Sequence, residues 1–406
     1  MNTISDTGRS GAKRAVIVTS HEWPAPPLFG AHRKIHDVIL ALKDEFAVHL
    51  VVYSPEKDAA QALQEYWDGR VCVNVLRPKD RFSSLRAVTK GTLRTVEMRR
   101  FDAELALVRG ITAGSGGAVL LIDGLSGLPI LRHFGGATIC SLHDAMSDYF
   151  RIQKESARHG KEHLLWWLRE RAALRLERRF LHRVRTVHMV TEEDAARIRS
   201  VNPRARTVVI PVLGRLPAAG VGGGPGLPGS SNGRVLLWGN IALGPVREGM
   251  RRLVSSRVWG EAAGKLDVWC LGRAKESVFR AHFPVIGRNV GYVDIAEDLP
   301  AFLSTFNAVV IPDLEGRGQK QRAFEALRLG LCVAGFPEAF RGLPRAVEPY
   351  FLERNTADEL LEDLMSTLTE GRARAMGERA RVVMETDLGF EGFRNAWLDL
   401  VLRNAS

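Results

Sequence analysis

One stretch concentrates the residues that could do chemistry: Val309-Val-Ile-Pro-Asp-Leu-Glu-Gly-Arg-Gly-Gln-Lys-Gln-Arg-Ala-Phe-Glu-Ala-Leu-Arg-Leu-Gly330. An apolar run ends at Pro312, a Gly-x-Gly turn follows at Gly316 and Gly318, and helical spacing starts near Gln319. Glycines let the backbone turn sharply and leave N–H groups at a helix start open to an anion, phosphate above all. Lys320 in the first helical turn opposes the helix dipole, a placement that makes sense beside an anion. Glu325, further along, can reach back to accept hydrogen bonds from sugar hydroxyls. A solvated helix pair is the competing reading of Lys320 and Glu325, and spacing alone does not separate the two.

Other polar residues stand where apolar runs end. Ser20-His-Glu-Trp-Pro-Ala-Pro-Pro-Leu-Phe-Gly-Ala-His-Arg33 follows the first such run, Ser141-Leu-His-Asp144 closes another, and Leu236-Leu-Trp-Gly-Asn240 leads to Pro245-Val-Arg247. An ordinary proline-containing loop, a structural histidine and a surface arginine are the competing readings of these segments.

The elements that must position them alternate in type. Ala15–Thr19, Val48–Tyr53, Val71–Leu76, Leu105–Val108, Ala137–Leu142, Val187–Val190 and Thr207–Ile210 read as strands, with helical spacing from Ala31 to Leu42. Gly214 to Gly233, GRLPAAGVGGGPGLPGSSNG, breaks the rhythm and reads as an interdomain linker. The alternation then restarts with Arg234–Trp238, Leu266–Leu271, Val290–Val293, Ala308–Ile311 and Leu331–Ala334, and Gly389 to Leu402 reads as a terminal amphipathic helix. This predicts an α/β chain with two Rossmann-like, doubly wound domains: residues 1–213, a 214–233 linker, residues 234–385, and a helix at 386–406 returning to the first domain. Open α/β sheets bind ligands at the carboxyl ends of their strands, so function is expected in the cleft between the two lobes.

Composition agrees with a globular protein. The chain has 406 residues, 45% hydrophobic and 25% charged, enough for two domains. A net charge of +11 suits nucleic acid, an anionic membrane surface or phosphorylated substrates, and equally a general arginine bias. The basic residues are dispersed and no nucleic-acid reading module is present, so a nucleic-acid partner is not expected. Cys72, Cys140, Cys270 and Cys332 are widely separated and form no CxxC pair or Cys/His cluster, which predicts buried, reduced thiols and no metal site. Met1 to Lys13 is polar and the apolar run after it is only Ala15 to Val18, so neither a signal peptide nor a membrane span is expected. A cytoplasmic location follows from that reading.

The segment GRGQKQRAFEALRLGLCVAG resembles the nucleotide-sugar signature of retaining GT-B glycosyltransferases of the family-four (group 1) type, through Gly316, Gly318, Lys320, Glu325, Ala326 and Gly330. The resemblance implies a GT-B fold and transfer of a sugar from a nucleoside diphosphate sugar, retaining and metal-independent, with no cofactor. It gives Glu325 the donor ribose, and Lys320 with the Gly316–Gly318 amides the diphosphate, with Arg317 among the donor-binding residues. It places Gly30 and Arg33 in the loop near the donor phosphates, and His143 beside the transferred sugar. Gly239 and Arg247 stand at the opening of the nucleotide lobe, and Gly291–Asp294 by the base. The chain departs from the commoner pattern at Arg317, where an acid is usual, and at Asn240, where an arginine is usual. The basic amphipathic stretch Trp166–Arg185 is similar to family surfaces that meet anionic membrane, so peripheral contact at the inner face of the membrane stays open beside plain core packing. The acceptor, a polysaccharide, lipid or small natural product, is not specified. A non-catalytic GT-B-fold partner or sugar-nucleotide-binding protein is the alternative.

Overall fold

A computed structural model describes residues 13–25, 30–56, 58–79, 83–115, 117–157, 160–214, 233–286 and 290–405. The first half runs β1 (Ala15–Thr19), α1 (Gly30–Leu42), β2 (Ala47–Tyr53), α2 (Ala59–Tyr66), β3 (Val71–Leu76), α3 (Ser83–Lys90), α4 (Arg94–Met98), α5 (Phe101–Gly114) and β4 (Ala118–Asp123). It continues through β5 (Thr138–Ser141), α6 (Met146–Glu155), α7 (Gly160–Phe180), β6 (Thr186–Met189), α8 (Glu192–Val201) and β7 (Thr207–Val209). Its strands form one parallel sheet of order β3-β2-β1-β4-β5-β6-β7.

The second half runs β8 (Arg234–Trp238), α9 (Gly244–Val254), α10 (Trp259–Lys265), β9 (Asp267–Leu271), α11 (Glu276–His282), β10 (Gly291–Val293), α12 (Leu299–Leu303) and β11 (Ala308–Ile311). It ends with α13 (Gln321–Arg328), β12 (Cys332–Gly335), β13 (Leu352–Glu353), α14 (Ala357–Thr369), α15 (Arg372–Asp387) and α16 (Phe390–Ala405). The second parallel sheet is ordered β10-β9-β8-β11-β12-β13 and so repeats the winding of the first.

Strand periodicity explains why both faces of each sheet carry helices. Ile17, Leu120 and Ile122 point into one apolar core, whereas Val16, Val18, Val119 and Leu121 point into another. Val235 and Leu237 face one core of the second sheet, and Leu236 and Trp238 the other. Continuous apolar strands covered on both sides are what parallel sheets require. Helix α16 packs against α1, with Phe393, Trp397, Leu400 and Val401 in the first lobe's core and Trp397 tilted over His188 at 4.6 Å between ring centroids.

Two expectations are corrected. Leu105–Val108 lies inside α5, because Leu105, Ala106 and Leu107 are good helix formers and only Val108 is β-branched. The strand of that region is β4, from the apolar stretch that follows. Cys72 is exposed, on the edge strand β3, while the other three cysteines are buried. Residues 215–232 of the expected linker lie outside the described residues. Among the described residues no helix is long and apolar enough to cross a membrane.

Candidate active site

A cleft of about 910 Å³ opens where the carboxyl ends of both sheets face one another. The first lobe contributes His21 and Glu22 after β1, Arg33 from α1, Asp123 at the end of β4, and His143 and Asp144 after β5. The second contributes Gly239 after β8, Arg273 after β9, Asp294 after β10, Asp313 after β11, and Arg317, Gly318, Lys320, Arg322 and Glu325.

Lys320 is the N-cap residue of α13 and only 9% exposed. Its ammonium folds back over Gly316, where a Cβ would lie 2.2 Å from Nζ, and donates to the Arg317 carbonyl at 3.0 Å. Among the described residues no carboxylate lies within ion-pair distance of it. A buried ammonium short of a counter-ion is costly unless an anion joins it.

The other predicted phosphate donors are differently engaged. Gly318 has φ +66 and its N–H donates to Asp194 at 2.8 Å, across the lobes. Arg317 pairs with Asp148 of α6, and Glu325 pairs with Arg33 of α1. First-lobe groups therefore already engage the Gly318 amide and the Arg317 and Glu325 side chains, and a donor would have to share or displace these partners. Asp194 itself also accepts from Ala145 N at 3.1 Å and Thr191 Oγ1 at 2.6 Å.

His143 comes from the loop between β5 and α6. It lines the cleft, with its Nε2 buried among protein atoms. Burial, reinforced by the Lys34 charge, lowers it to about 3, so it is neutral at pH 7, and its Nε2 has no hydrogen-bond partner among the described residues. Behind it Lys34, 1% exposed, pairs with Asp123 at 2.8 Å, and Ser20 Oγ donates to the same carboxylate at 2.7 Å. Burial works against the Asp123 charge, but Lys34, His143 and the Ser20 hydrogen bond together outweigh it and hold the carboxyl below its usual range. Asp144 goes the other way: burial and the neighbouring Asp194 raise it to about 6 against the pull of Lys320.

Gly239 lines the cleft, and a Cβ there would meet Val246 Cγ1 at 2.4 Å and Arg322 Nη1 at 3.2 Å. Arg247 is not among the described side chains around the cleft, and its guanidinium donates to the Ile241 carbonyl at 3.0 Å. That bond ties it to the loop that precedes α9. Gly30 opens α1, and residues 26–29 of the loop before it lie outside the described residues.

Sequence reasoning passed over Arg322. Its guanidinium lines the cleft, donates to both oxygens of Asp313 at 3.0 and 2.8 Å and reaches the Trp238 carbonyl. The signal was present: Arg322 stands three residues before Glu325, one helical turn away, so both share a face of α13. Asp313, 4% exposed, was likewise unread, although it directly follows the Pro312 that ends the apolar run.

No protein-family model and no curated protein sequence matches the chain. Solved structures do resemble it in fold. Sucrose-phosphate synthase from Thermosynechococcus elongatus aligns at 16% identity with a TM-score of 0.64, covering 96% of this chain and 99% of that one. HepE from Anabaena, solved in complex with UDP-glucose, aligns at 13% identity and 0.61, covering 96% and 99%. An α,α-trehalose 6-phosphate synthase from Burkholderia multivorans aligns at 11% identity and 0.61, covering 97% of each. Likeness over nearly the full length of each chain establishes the architecture as GT-B, two Rossmann-like, doubly wound domains facing across a cleft.

Proposed function

We propose that the chain is a glycosyltransferase that moves a sugar from a nucleoside diphosphate sugar to an acceptor hydroxyl. The observation that carries the reading is Lys320, an ammonium buried in the interlobe cleft with no carboxylate within ion-pair distance among the described residues. A diphosphate is the anion that fits, because the glycosidic step needs one as leaving group. The bond from the anomeric carbon to the diphosphate oxygen breaks with its electron pair going to the phosphate. The acceptor oxygen bonds to that carbon, and its proton is released to the departing diphosphate or to water. Cations aimed at the phosphate stabilise the charge as it develops. Lys320 supplies this role; Arg322, two residues on, and Arg33, across the cleft, also line it, each held by a carboxylate, Asp313 and Glu325. The neutral His143 Nε2 serves a sugar hydroxyl, and Leu271, Arg273, Ile295 and Leu299 form the slot for the base.

The retention and metal independence implied by the family resemblance belong to the same proposal, as does the division at 1–213, 214–233, 234–385 and 386–406. HepE, similar in fold, is solved with UDP-glucose, which makes UDP-glucose the first donor to try. Slow release of glucose and UDP without an acceptor, lost in Lys320→Met, is the expected result. Absence of nucleotide binding across UDP, GDP and ADP would overturn the proposal. The anomeric configuration of a transferred sugar, read by NMR, tests retention.

A second reading, a non-catalytic sugar-nucleotide-binding protein, draws on the occupied Gly318 amide and the Arg33–Glu325 pair. It predicts nucleotide binding with no donor hydrolysis at all.

A further inference from the structure

The half of the cleft away from α13 has a different chemistry. It is walled by α3, the α3–α4 turn, α6 and α7, with Val88, Leu93, Leu125, Tyr149, Leu165 and Leu168 presenting carbon. The wall runs outward to a rim where Val88 is 53%, Leu165 41%, Leu164 55% and Trp167 39% exposed. The cause lies in α7. Its C-terminal half buries Ala172, Ala173, Leu176 and Phe180, whereas its N-terminal half keeps leucines and a tryptophan in the open. Exposed apolar side chains continuous with an apolar cleft mark a surface meant to be covered.

The charged side chains that these helices add to the wall are both basic, while Asp144, from the loop before α6, also lines the cleft. Arg94 and Arg169 both line it, and no carboxylate from α3, α4, α6 or α7 does so among the described residues. Neither guanidinium makes an ion pair among the described residues, and Arg169 lies over the Trp166 ring at 4.6 Å. Arg94 is near enough to act against Arg169's charge, adding to the effect of partial burial. Two like charges held together over an apolar wall suit a doubly charged group.

We propose that the acceptor is a long-chain phosphate that also carries the acceptor hydroxyl: its hydrocarbon lies along Val88, Leu165 and Leu168 and leaves over the Leu164–Trp167 rim, and its phosphate sits between Arg94 and Arg169. This names the acceptor class for the glycosyltransferase reading and rests on it for the chemistry, but not for the binding.

The test is calorimetric titration of the full chain with dodecyl phosphate below its micellar concentration, alongside glycerol 3-phosphate and dodecyl maltoside, with UDP titrated separately. Dodecyl phosphate is expected to bind at least about tenfold more tightly than either control. Arg94→Gln with Arg169→Gln should abolish that advantage while the melting temperature and UDP affinity hold, and Leu168→Asp should do the same from the apolar side. Equal binding of glycerol 3-phosphate would reduce the site to a free-anion site, and equal binding of dodecyl maltoside to a general apolar patch. Either result overturns the proposal. UDP binding without dodecyl phosphate binding sinks this inference alone, whereas dodecyl phosphate binding without any nucleotide binding sinks the donor reading and leaves the subsite standing.

Discussion

Replacing Lys320 by methionine keeps the length of the side chain and deletes its charge, so two effects of opposite sign should appear together. In the free protein the ammonium is 9% exposed and its one hydrogen bond among the described residues goes to the Arg317 carbonyl. Removing a buried charge that lacks a counter-ion relieves desolvation, which offsets the lost hydrogen bond, and a net gain of about 1 kcal/mol is expected. With a diphosphate bound, a hydrogen bond between charged groups is lost, which costs about 2 kcal/mol, or roughly thirtyfold in affinity. Thermal denaturation reads both. At a UDP concentration one hundred times the parent's Kd, ligand stabilisation is about 2.7 kcal/mol, and a thirtyfold weaker variant keeps only about 0.9 kcal/mol. The variant's UDP-induced shift in melting temperature should therefore fall to about a third of the parent's, from an equal or higher starting point. A free variant that melts lower, with an undiminished UDP shift, would show Lys320 to be a structural residue and refute the reasoning.

Other perturbations have equally definite signs. Asp123→Asn leaves the Lys34 ammonium, 1% exposed, without its carboxylate, and should cost about 3–5 kcal/mol in urea denaturation. Gly249→Ala places a Cβ 1.7 Å from the Pro312 carbonyl oxygen, where α9 crosses the end of β11, and the forced shift should cost at least about 1–3 kcal/mol. Glu177, fully buried on α7, is raised to about 7 by burial, so its neutral form is favoured in the fold. Its contribution is complete below the unfolded value near 4.5 and is lost as pH rises through about 7. Glu177→Gln should accordingly gain about 3 kcal/mol over the parent at pH 8 and little at pH 4, measured by urea unfolding at both.

The architecture was legible because parallel strands buried on both faces write themselves as short apolar runs, and Ala15–Thr19 and Ala308–Ile311 read plainly. Leu105–Val108 misled because four apolar residues fit a strand or a helix, and only the surrounding helix of α5 settles the choice. Within the site, the Gly316–Lys320 turn and His143 were found from local pattern, and the structure brings them to one cleft. What local pattern cannot give is the partner across that cleft. Asp194 meets Gly318 from 124 positions away, and Glu325 meets Arg33 from 292. Such pairs depend on how the lobes face each other, which no short window of sequence encodes. Arg247 illustrates a related point, since a cation near a loop can as readily tie the loop's own carbonyl as face a ligand.

The occupied Gly318 amide can be reconciled with a diphosphate nearby, and the reconciliation is testable. Asp194 accepts from Gly318 N, but it also holds Ala145 N and Thr191 Oγ1, so it stays satisfied if a phosphate takes the Gly318 donor. The exchange then costs little in hydrogen bonds, and the residual penalty is repulsion between Asp194 and the incoming anion. A unit charge one amide away, about 7 Å, contributes about 1 kcal/mol after screening. Asp194→Asn keeps the shape and an acceptor oxygen while deleting that charge. If phosphate sits at the Gly316–Gly318 turn, the variant should bind UDP about fivefold more tightly at low salt, with the gain shrinking as salt is added. Unchanged affinity at every salt concentration would move the diphosphate away from the turn and toward Arg322, whose carboxylate partner is Asp313 instead. Weaker UDP binding by a variant that melts like the parent would mean that Asp194 orders the turn for its ligand, and the electrostatic account would have to be abandoned.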